Sequence, residues 1–221
     1  MEQVAQAALE LVTDGMQLGL GTGRAAEAFI RALGARVQGG LRVRGVATSV
    51  RSEELARSLG IELGTVADTA SLDVAFDGAD EVTPALDLMK GLGGALLRER
   101  VVAALARRFV VLVTPDKLVA SLCTRAPVPI EIVPFAVEPV RRSLAALGAE
   151  PPVRLAPDGA PYRTDNGTAI VDARFAPLAD PAATDAKIRR LPGVVDTGMF
   201  LGMADLVLVG SEAAVLRLTR P

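Results

Sequence analysis

Hydrophobic and polar positions follow one another along this chain in a pattern that predicts alternating strands and helices. Short apolar runs rich in strand-forming residues, such as residues 72–76 and 109–113, are typical of buried strands. Longer stretches with apolar residues at helical spacing, such as residues 3–13 and 95–107, are typical of helices packed on one face. Strands and helices that alternate with short connections predict an α/β fold, a Rossmann-like doubly wound parallel sheet.

The order of predicted elements changes in the second half of the chain. Between residues 128 and 197 it is strand, helix, two strands, helix and strand, which is typical of a ferredoxin-like α+β domain. The apolar run 205–209 then predicts a strand that returns to the first sheet. We therefore predict a Rossmann-like catalytic domain of residues 1–126 plus 199–221, with a ferredoxin-like domain of residues 127–198 inserted into it.

The composition removes several classes of function. The 221 residues include no histidine, which excludes histidine general bases, Ser-His-Asp triads and histidine-based metal sites. A formal net charge of −2 with 3% aromatic residues argues against a nucleic-acid partner, because such surfaces need basic patches and stacking platforms. Any acid–base chemistry therefore falls to carboxylates and lysines, and we expect no metal.

The chain also lacks the signals of export or membrane insertion. Its N-terminus has no basic segment followed by an apolar core, and no apolar run is long enough to cross a bilayer. The single cysteine, Cys123, has no partner for an intrachain disulfide. We expect a cytoplasmic protein with no membrane partner.

The segment 73–102 carries the strongest indication of chemistry. Asp77 and Asp80 follow a predicted buried strand, and open α/β sheets bind ligands at the carboxyl ends of their strands. Lys90 comes next and could stabilise a developing oxyanion. The glycines at 91, 93 and 94 allow the backbone to approach a ligand, and the helix after them directs free N–H groups toward the same crevice. We expect a catalytic site for a small anionic substrate.

Glu99 lies on that helix among small apolar residues. Its neighbours one turn away are Ala95, Leu96, Val102 and Ala103, none of them basic. Desolvation in such a setting raises the proton affinity of a carboxylate, which suits a group that transfers protons. Lys117 follows another strand end and is expected at the same crevice. Asp87 and Glu81 have no comparable placement, and we expect them to be solvated.

A glycine-rich turn at residues 19–23 precedes a predicted helix and indicates a phosphate cradle. A dinucleotide site of this type also needs an acid at the end of the next strand. That position is Ala47-Thr48-Ser49 here, so an NAD site is not favoured. Arg51 leaves an NADP site open as a weaker alternative.

Together these motifs resemble the ribose-5-phosphate isomerase A family over essentially the whole chain. The matching motifs are GLGTG (19–23), ATS (47–49), DGADEV (77–82), LLRERVV (96–102), the Lys117 segment, PVPIEIVPFA (127–136), TDNGTAIVDA (164–173), GVVDTGMF (193–200) and LVLVG (206–210). The resemblance implies cofactor-free interconversion of D-ribose 5-phosphate and D-ribulose 5-phosphate, a step of the pentose phosphate pathway, by a homodimer or homotetramer.

The resemblance also implies roles for individual residues. Glu99 is the group that moves a proton between C2 and C1, Asp77 and Asp80 serve ring opening and hydroxyl proton transfer, and Lys90 stabilises the oxyanion. The residues implied in substrate binding are Thr22, Gly23, Arg24, Ala25, Thr48, Ser49, Gly78, Ala79, Gly91, Leu92, Gly93 and Lys117.

Four positions depart from the family pattern. Arg24 and Ala25 replace two hydroxyl residues of the phosphate loop, Leu92 replaces a glycine, and Thr114 replaces an acid. Two other functions remain open from the sequence. One is a catalytically silent sugar-phosphate sensor, although no basic recognition helix precedes residue 15, and the other is an NADP-dependent oxidoreductase.

Overall fold

The chain divides into two units whose boundaries differ from those predicted. The computed structural model describes residues 1–211 and 214–220. The first unit comprises residues 1–79, 98–117 and 202–221, and the second comprises residues 80–97 and 118–201. Residues 212, 213 and 221, which the sequence assigns to the first domain, lie outside the described residues.

The longer elements follow one another in the order that the sequence predicts, and several further strands, most of them short, were not predicted. The strands are β1 (Gln17–Leu20), β2 (Arg44–Ala47), β3 (Glu62–Leu63), β4 (Val74–Gly78), β5 (Glu81–Val82), β6 (Leu88–Met89), β7 (Phe109–Val113), β8 (Val128–Ile132), β9 (Ala169–Ala173), β10 (Val194–Thr197), β11 (Met199–Phe200), β12 (Leu206–Gly210) and β13 (Val215–Thr219). The helices are α1 (Glu2–Leu9), α2 (Arg24–Gln38), α3 (Val50–Ser58), α4 (Leu96–Leu105), α5 (Val137–Ala146) and α6 (Pro181–Arg189).

A seven-stranded sheet forms the centre of the first unit. Its strand order is β13-β12-β7-β4-β1-β2-β3, with the β12–β13 pair antiparallel and the other pairs parallel. Phe29 of α2 stacks on Phe76 of β4, with ring centroids 4.2 Å apart, in a core that also buries Leu18 and Leu112. The α/β class with a mostly parallel central sheet is confirmed, and it aligns the carboxyl ends of β1, β2, β4 and β7 at one edge.

The second unit contains two small antiparallel sheets, with orders β10-β8-β9 and β11-β6-β5. The strand predicted at 153–155 is present only as isolated bridges, from Val153 to Val171 and from Leu155 to Pro161. Prolines at 151 and 152 have no N–H group with which to extend the ladder. The Val153 bridge lies on the outer side of β9, so the order β10, β8, β9 and this segment is the ferredoxin-like arrangement.

The segment 80–97 groups with the second unit because its apolar residues complete that unit's sheets and core. Leu88 and Met89 form β6, which pairs with β5 and β11. Met89 is fully buried in the same hydrophobic cluster as Ile130 and Val171. A two-residue strand has too little sequence pattern to reveal such a partner, and the predicted boundary at residue 126 therefore left this segment in the first domain.

None of the helices within residues 1–211 and 214–220 has the length and apolar character that crossing a bilayer requires.

Candidate active site

The turn between β1 and α2 in the first unit is built to receive an anion. Gly23 is the N-cap residue of α2, so no side chain caps the first N–H groups of a 15-residue helix. Free N–H groups and the helix dipole make such an end a favourable place for a phosphate. Thr22 and Ala25 are partly buried here, whereas the side chain of Arg24 is exposed.

A cluster of four hydroxyl groups lies beside this turn. Thr22 Oγ1 is 2.7 Å from Thr48 Oγ1 and 2.8 Å from Ser49 Oγ. Ser52 Oγ donates to the carbonyl of Gly21 at 2.6 Å. Ser49 also caps α3, because its Oγ accepts the N–H of Ser52 at 3.2 Å. The sequence predicts three of these hydroxyls, and the Ser-x-x-Ser spacing at a helix start was the signal for the fourth, Ser52.

Asp77 is a buried carboxylate at the end of β4, with 2% of its surface exposed. Its Oδ1 accepts the backbone N–H of Thr22 at 3.0 Å and that of Gly78 at 2.7 Å. These bonds connect the acid directly to the phosphate-loop backbone. A Cβ on Gly21 would lie 2.3 Å from Asp77 Cγ, so only glycine leaves room for this carboxyl group.

Glu99 is also buried, with 4% of its surface exposed. Together with Asp77, Thr48 and Gly19, it lines one small enclosed space of the first unit. Its burial matches the environment that the apolar neighbours on α4 predict. The first unit therefore brings together Glu99, Asp77 and the hydroxyl cluster. Glu99 lies on α4, Asp77 lies at the end of β4, and the hydroxyl groups follow the ends of β1 and β2.

Asp80 and the glycine turn (residues 91–94) belong to the second unit. The backbone N–H of Asp80 donates to the carbonyl of Met89 at 2.7 Å, and its Oδ2 accepts the N–H of Leu92 at 3.1 Å. Asp80 is partly buried, whereas Leu92 and Gly93 are exposed. In the described residues, positive φ angles outside glycine occur only at Leu86 and Cys123, so Leu92 has a backbone conformation that needs no glycine.

Lys90 is buried in the second unit, with 2% of its surface exposed. Its backbone N–H donates to the carbonyl of Gly198 at 2.8 Å, and its Nζ lies 5.5 Å from the ring centroid of Phe200. An ammonium group held in this way keeps a strong field for a developing negative charge, because water does not screen it.

The remaining predicted residues lie at strand ends or on the turns already described. Gly78 ends β4 and Ala79 follows it, and both are partly buried, whereas Gly91 is buried. Lys117 ends a short 3₁₀ helix after β7, with 28% of its side chain exposed and its Nζ 3.9 Å from Asp116. The hydroxyl of Thr114, where the family pattern has an acid, donates to the carboxylate of Asp116.

The prediction that Glu81 is solvated is wrong. Its side chain is fully buried, and its carboxylate accepts the N–H of Cys123 at 2.7 Å, that of Ala126 at 2.8 Å and that of Arg125. These donors follow Glu81 by more than forty positions, so no local spacing reveals them. Asp87, the other acid expected in water, is partly buried.

Among the residues that the structure describes, no group of three or more His, Cys, Asp and Glu side chains is placed to hold a metal ion.

Comparison with known proteins identifies the family. Residues 44–214 match the family model of ribose 5-phosphate isomerase A (phosphoriboisomerase A). The chain belongs to this family. Ribose-5-phosphate isomerase A of Thermomicrobium roseum is 51% identical over 220 residues, covering 99% of this chain and 93% of the relative. The protein of that name from Roseiflexus castenholzii is 48% identical, with 99% and 94% covered.

Solved structures of the ribose 5-phosphate isomerase A family share the whole architecture. The enzyme of Methanocaldococcus jannaschii superposes with a TM-score of 0.95 at 41% identity, covering 99% of this chain and 97% of the other. A D-ribose-5-phosphate isomerase in complex with phospho-erythronic acid superposes with a TM-score of 0.96 at 38% identity, with the same coverage. The resemblance predicted from the motifs is confirmed, as is the fold class.

Proposed function

We propose that this chain interconverts D-ribose 5-phosphate and D-ribulose 5-phosphate by proton transfer through an enediolate. The observation that carries the proposal is a buried carboxylate, Glu99, beside Asp77 and an uncapped helix N-terminus, in a chain of the ribose 5-phosphate isomerase A family. Family membership favours this isomerase over the silent sensor and the NADP-dependent oxidoreductase.

The loop of residues 21–25 binds the phosphate of the sugar. Its supporting features are the free N–H groups at the start of α2 and the Thr22 hydroxyl within the four-hydroxyl cluster. Arg24 is exposed at the same helix start, where its positive charge favours a dianion. The backbone N–H groups and the Arg24 side chain bind the phosphate in place of the two hydroxyl groups that the family pattern has at residues 24 and 25.

Asp77 takes part in opening the sugar ring. The isomerisation needs the open-chain aldehyde, so the ring oxygen must gain a proton and the C1 hydroxyl must lose one. Two hydrogen bonds from backbone N–H groups to Oδ1 fix the orientation of Asp77. The carboxylate can therefore transfer a proton without first changing its conformation.

Glu99 then carries the proton between the two carbons. It takes the proton from C2, and the electrons of that C–H bond form the C1–C2 double bond of the enediolate while charge moves to the O1 oxygen. The same carboxyl group returns the proton to C1, which leaves the ketone at C2. Burial suits the abstraction from C2, because desolvation raises the proton affinity of a carboxylate and makes it a stronger base.

Lys90 stabilises the charge that develops on the enediolate oxygens, and Asp80 moves the hydroxyl proton between O2 and O1. The support for Lys90 is its buried ammonium group, and the support for Asp80 is its bond to the glycine turn. Phospho-erythronic acid, named with one relative, has a planar carboxylate in place of an enediolate. We expect it to inhibit this chain competitively, because groups that bind the enediolate also bind such a carboxylate.

The test is conversion of ribose 5-phosphate in a coupled assay without added metal or nucleotide. Glu99→Gln should lower kcat about 10²–10⁴-fold, the usual contribution of general acid–base catalysis, with KM little changed. Glu54→Gln, on the exposed face of α3, is the matched control and should keep wild-type rates. Wild-type turnover by Glu99→Gln would remove Glu99 from the mechanism.

A second measurement separates proton transfer from hydride transfer. In D₂O, part of the ribulose 5-phosphate formed should contain solvent deuterium at C1, because the carboxyl proton of Glu99 exchanges with solvent between transfers. Product with no solvent deuterium would point to a direct hydride shift.

Two further expectations concern the whole protein. The homodimer or homotetramer implied by the resemblance stays a prediction, which sedimentation equilibrium measures. The cytoplasmic location stays a prediction from the sequence.

A further inference from the structure

The guanidinium group of Arg154 is partly buried against the carbonyl side of the glycine turn (residues 91–94). Its Nη1 donates to the carbonyl of Gly91 at 3.0 Å and to that of Leu92 at 3.1 Å. The other nitrogens of this planar guanidinium fork bind Asp172. Nε donates a hydrogen bond to Oδ2 at 2.9 Å, and Nη2 donates one to Oδ1. The two side chains are 12% and 19% exposed, so water screens these bonds little.

The opposite side of the same peptide segment is bound by Asp80. The Leu92 N–H donates to Asp80 Oδ2 at 3.1 Å, while the carbonyls on either side of the Leu92 residue face Arg154. The turn therefore lies between a cation that fixes its carbonyl groups and an anion that fixes an amide. Lys90 immediately precedes the turn, and a hydrogen bond from its backbone N–H to the carbonyl of Gly198 fixes its backbone.

A third contact closes this arrangement. The guanidinium carbon of Arg154 is 5.9 Å from the ring centroid of Tyr162, which is the distance of a cation–π contact. The Tyr162 hydroxyl fills the space beside Gly94, where a Cβ would lie 2.2 Å from it. Arg154 and Tyr162 thus lie against opposite ends of the turn, and the Asp172 carboxylate binds the guanidinium group of Arg154 through two hydrogen bonds.

We propose that Arg154 is a positioning residue for the isomerisation, which acts through the carbonyls of residues 91 and 92 on Asp80 and Lys90. The inference rests on the proposed function, because Asp80 and Lys90 carry their roles from it. A planar fork can bind two carbonyls and a carboxylate at once, whereas a lysine ammonium cannot reproduce that geometry. Loss of the fork frees the turn, which displaces its amide from the Asp80 carboxylate.

The principal variant is Arg154→Lys, which keeps the positive charge. We expect kcat for ribose 5-phosphate to fall about 100-fold, the scale that a displacement of about 1 Å costs in a catalytic site. KM should change less than about threefold, because the groups affected act on the reacting carbons and oxygens. Arg163→Lys is the matched control, since Arg163 is exposed in the same segment and its 3.4 Å contact to Gly167 is at the limit for a hydrogen bond.

A second variant, Arg154→Ala, tests the geometry by chemical rescue. Guanidinium chloride at concentrations far below those that unfold proteins should restore at least about tenfold of the lost kcat, because the free ion is the same planar donor. Sodium chloride at equal concentration should restore nothing. If this variant does not fold, as circular dichroism would show, Arg154→Lys alone decides the question.

The outcomes separate the two proposals. A wild-type chain that does not convert ribose 5-phosphate refutes the proposed function itself. An active wild type with Arg154→Lys within twofold of its kcat refutes the positioning role and leaves the function standing. A lowered kcat that follows a lowered melting temperature, with no rescue by guanidinium in the alanine variant, assigns Arg154 a purely structural role and also refutes the inference.

Discussion

Replacing the buried carboxylate of Glu81 by an amide tests how much a single side chain contributes to the second unit. Glu81 Oε2 accepts the N–H of Cys123 and Oε1 accepts the N–H groups of Arg125 and Ala126. In Glu81→Gln one oxygen becomes an NH₂ group, which cannot accept. At least one backbone N–H is then left buried and faces another donor.

The magnitude follows from the number of bonds lost. A hydrogen bond to a charged group contributes about 1.5–3 kcal/mol, and a buried donor left without a partner costs about 1–3 kcal/mol. The neutral amide is easier to desolvate than a carboxylate, which offsets part of the loss. We expect the free energy of unfolding to fall by about 2–4 kcal/mol. For a chain of this length that corresponds to a decrease of about 5–15 °C in the melting temperature.

Thermal and urea denaturation at pH 7, followed by circular dichroism, measure the change. Glu54→Gln is the matched control, because Glu54 is exposed on α3 and such surface substitutions change stability by less than about 0.5 kcal/mol. A Glu81→Gln protein within about 0.5 kcal/mol of the wild type would show that the three N–H groups find other acceptors, and the reasoning would be refuted.

Three other predictions concern the chemistry of single positions. Lys90→Ala should lower kcat about 100-fold and raise KM much less, as loss of one oxyanion-stabilising group does; a pure increase in KM would assign Lys90 to ground-state binding. Gly21→Ala should abolish turnover in a folded protein, because the added Cβ takes space that the Asp77 carboxyl group occupies, and wild-type kinetics would contradict this. Burial, assisted by the Glu81 carboxylate, raises the pKa of the Cys123 thiol to about 12, so the reactive thiolate is scarce at pH 8. A disulfide reagent should therefore label Cys123 slowly in the native protein and quickly after denaturation; equal rates would refute the assignment.

Local patterns account for much of the fold and of the first unit's acids. The apolar run at β7 and the helical spacing of α4 are specified by neighbouring residues, so their type follows from the sequence with bounds shifted by at most a few positions. The burial of Glu99 follows in the same way, from small apolar neighbours on its own helix. The glycines of the phosphate loop indicate the turn before α2, because the turn's geometry is local as well.

Features that depend on distant partners were not predictable in this way. Strand β13 and the two-residue strands β3, β5, β6 and β11 have too few residues or too little periodicity to be recognised alone. Glu81 shows the same limit, since its partners are donors from a separate loop that only tertiary structure brings near.

The sequence alone indicates the longer strands and helices, the family, and the residue types available for acid–base chemistry without histidine. These properties depend on the spacing of residues along the chain and on the amino-acid composition, and neither depends on contacts between distant residues. The identity of the acid that accepts backbone N–H groups, and of the arginine that binds the glycine turn, follows only from the folded structure. The physical reason is that hydrogen bonds such as those of Glu81 and Arg154 join residues more than forty positions apart, and their energy depends on a burial that exists only after folding.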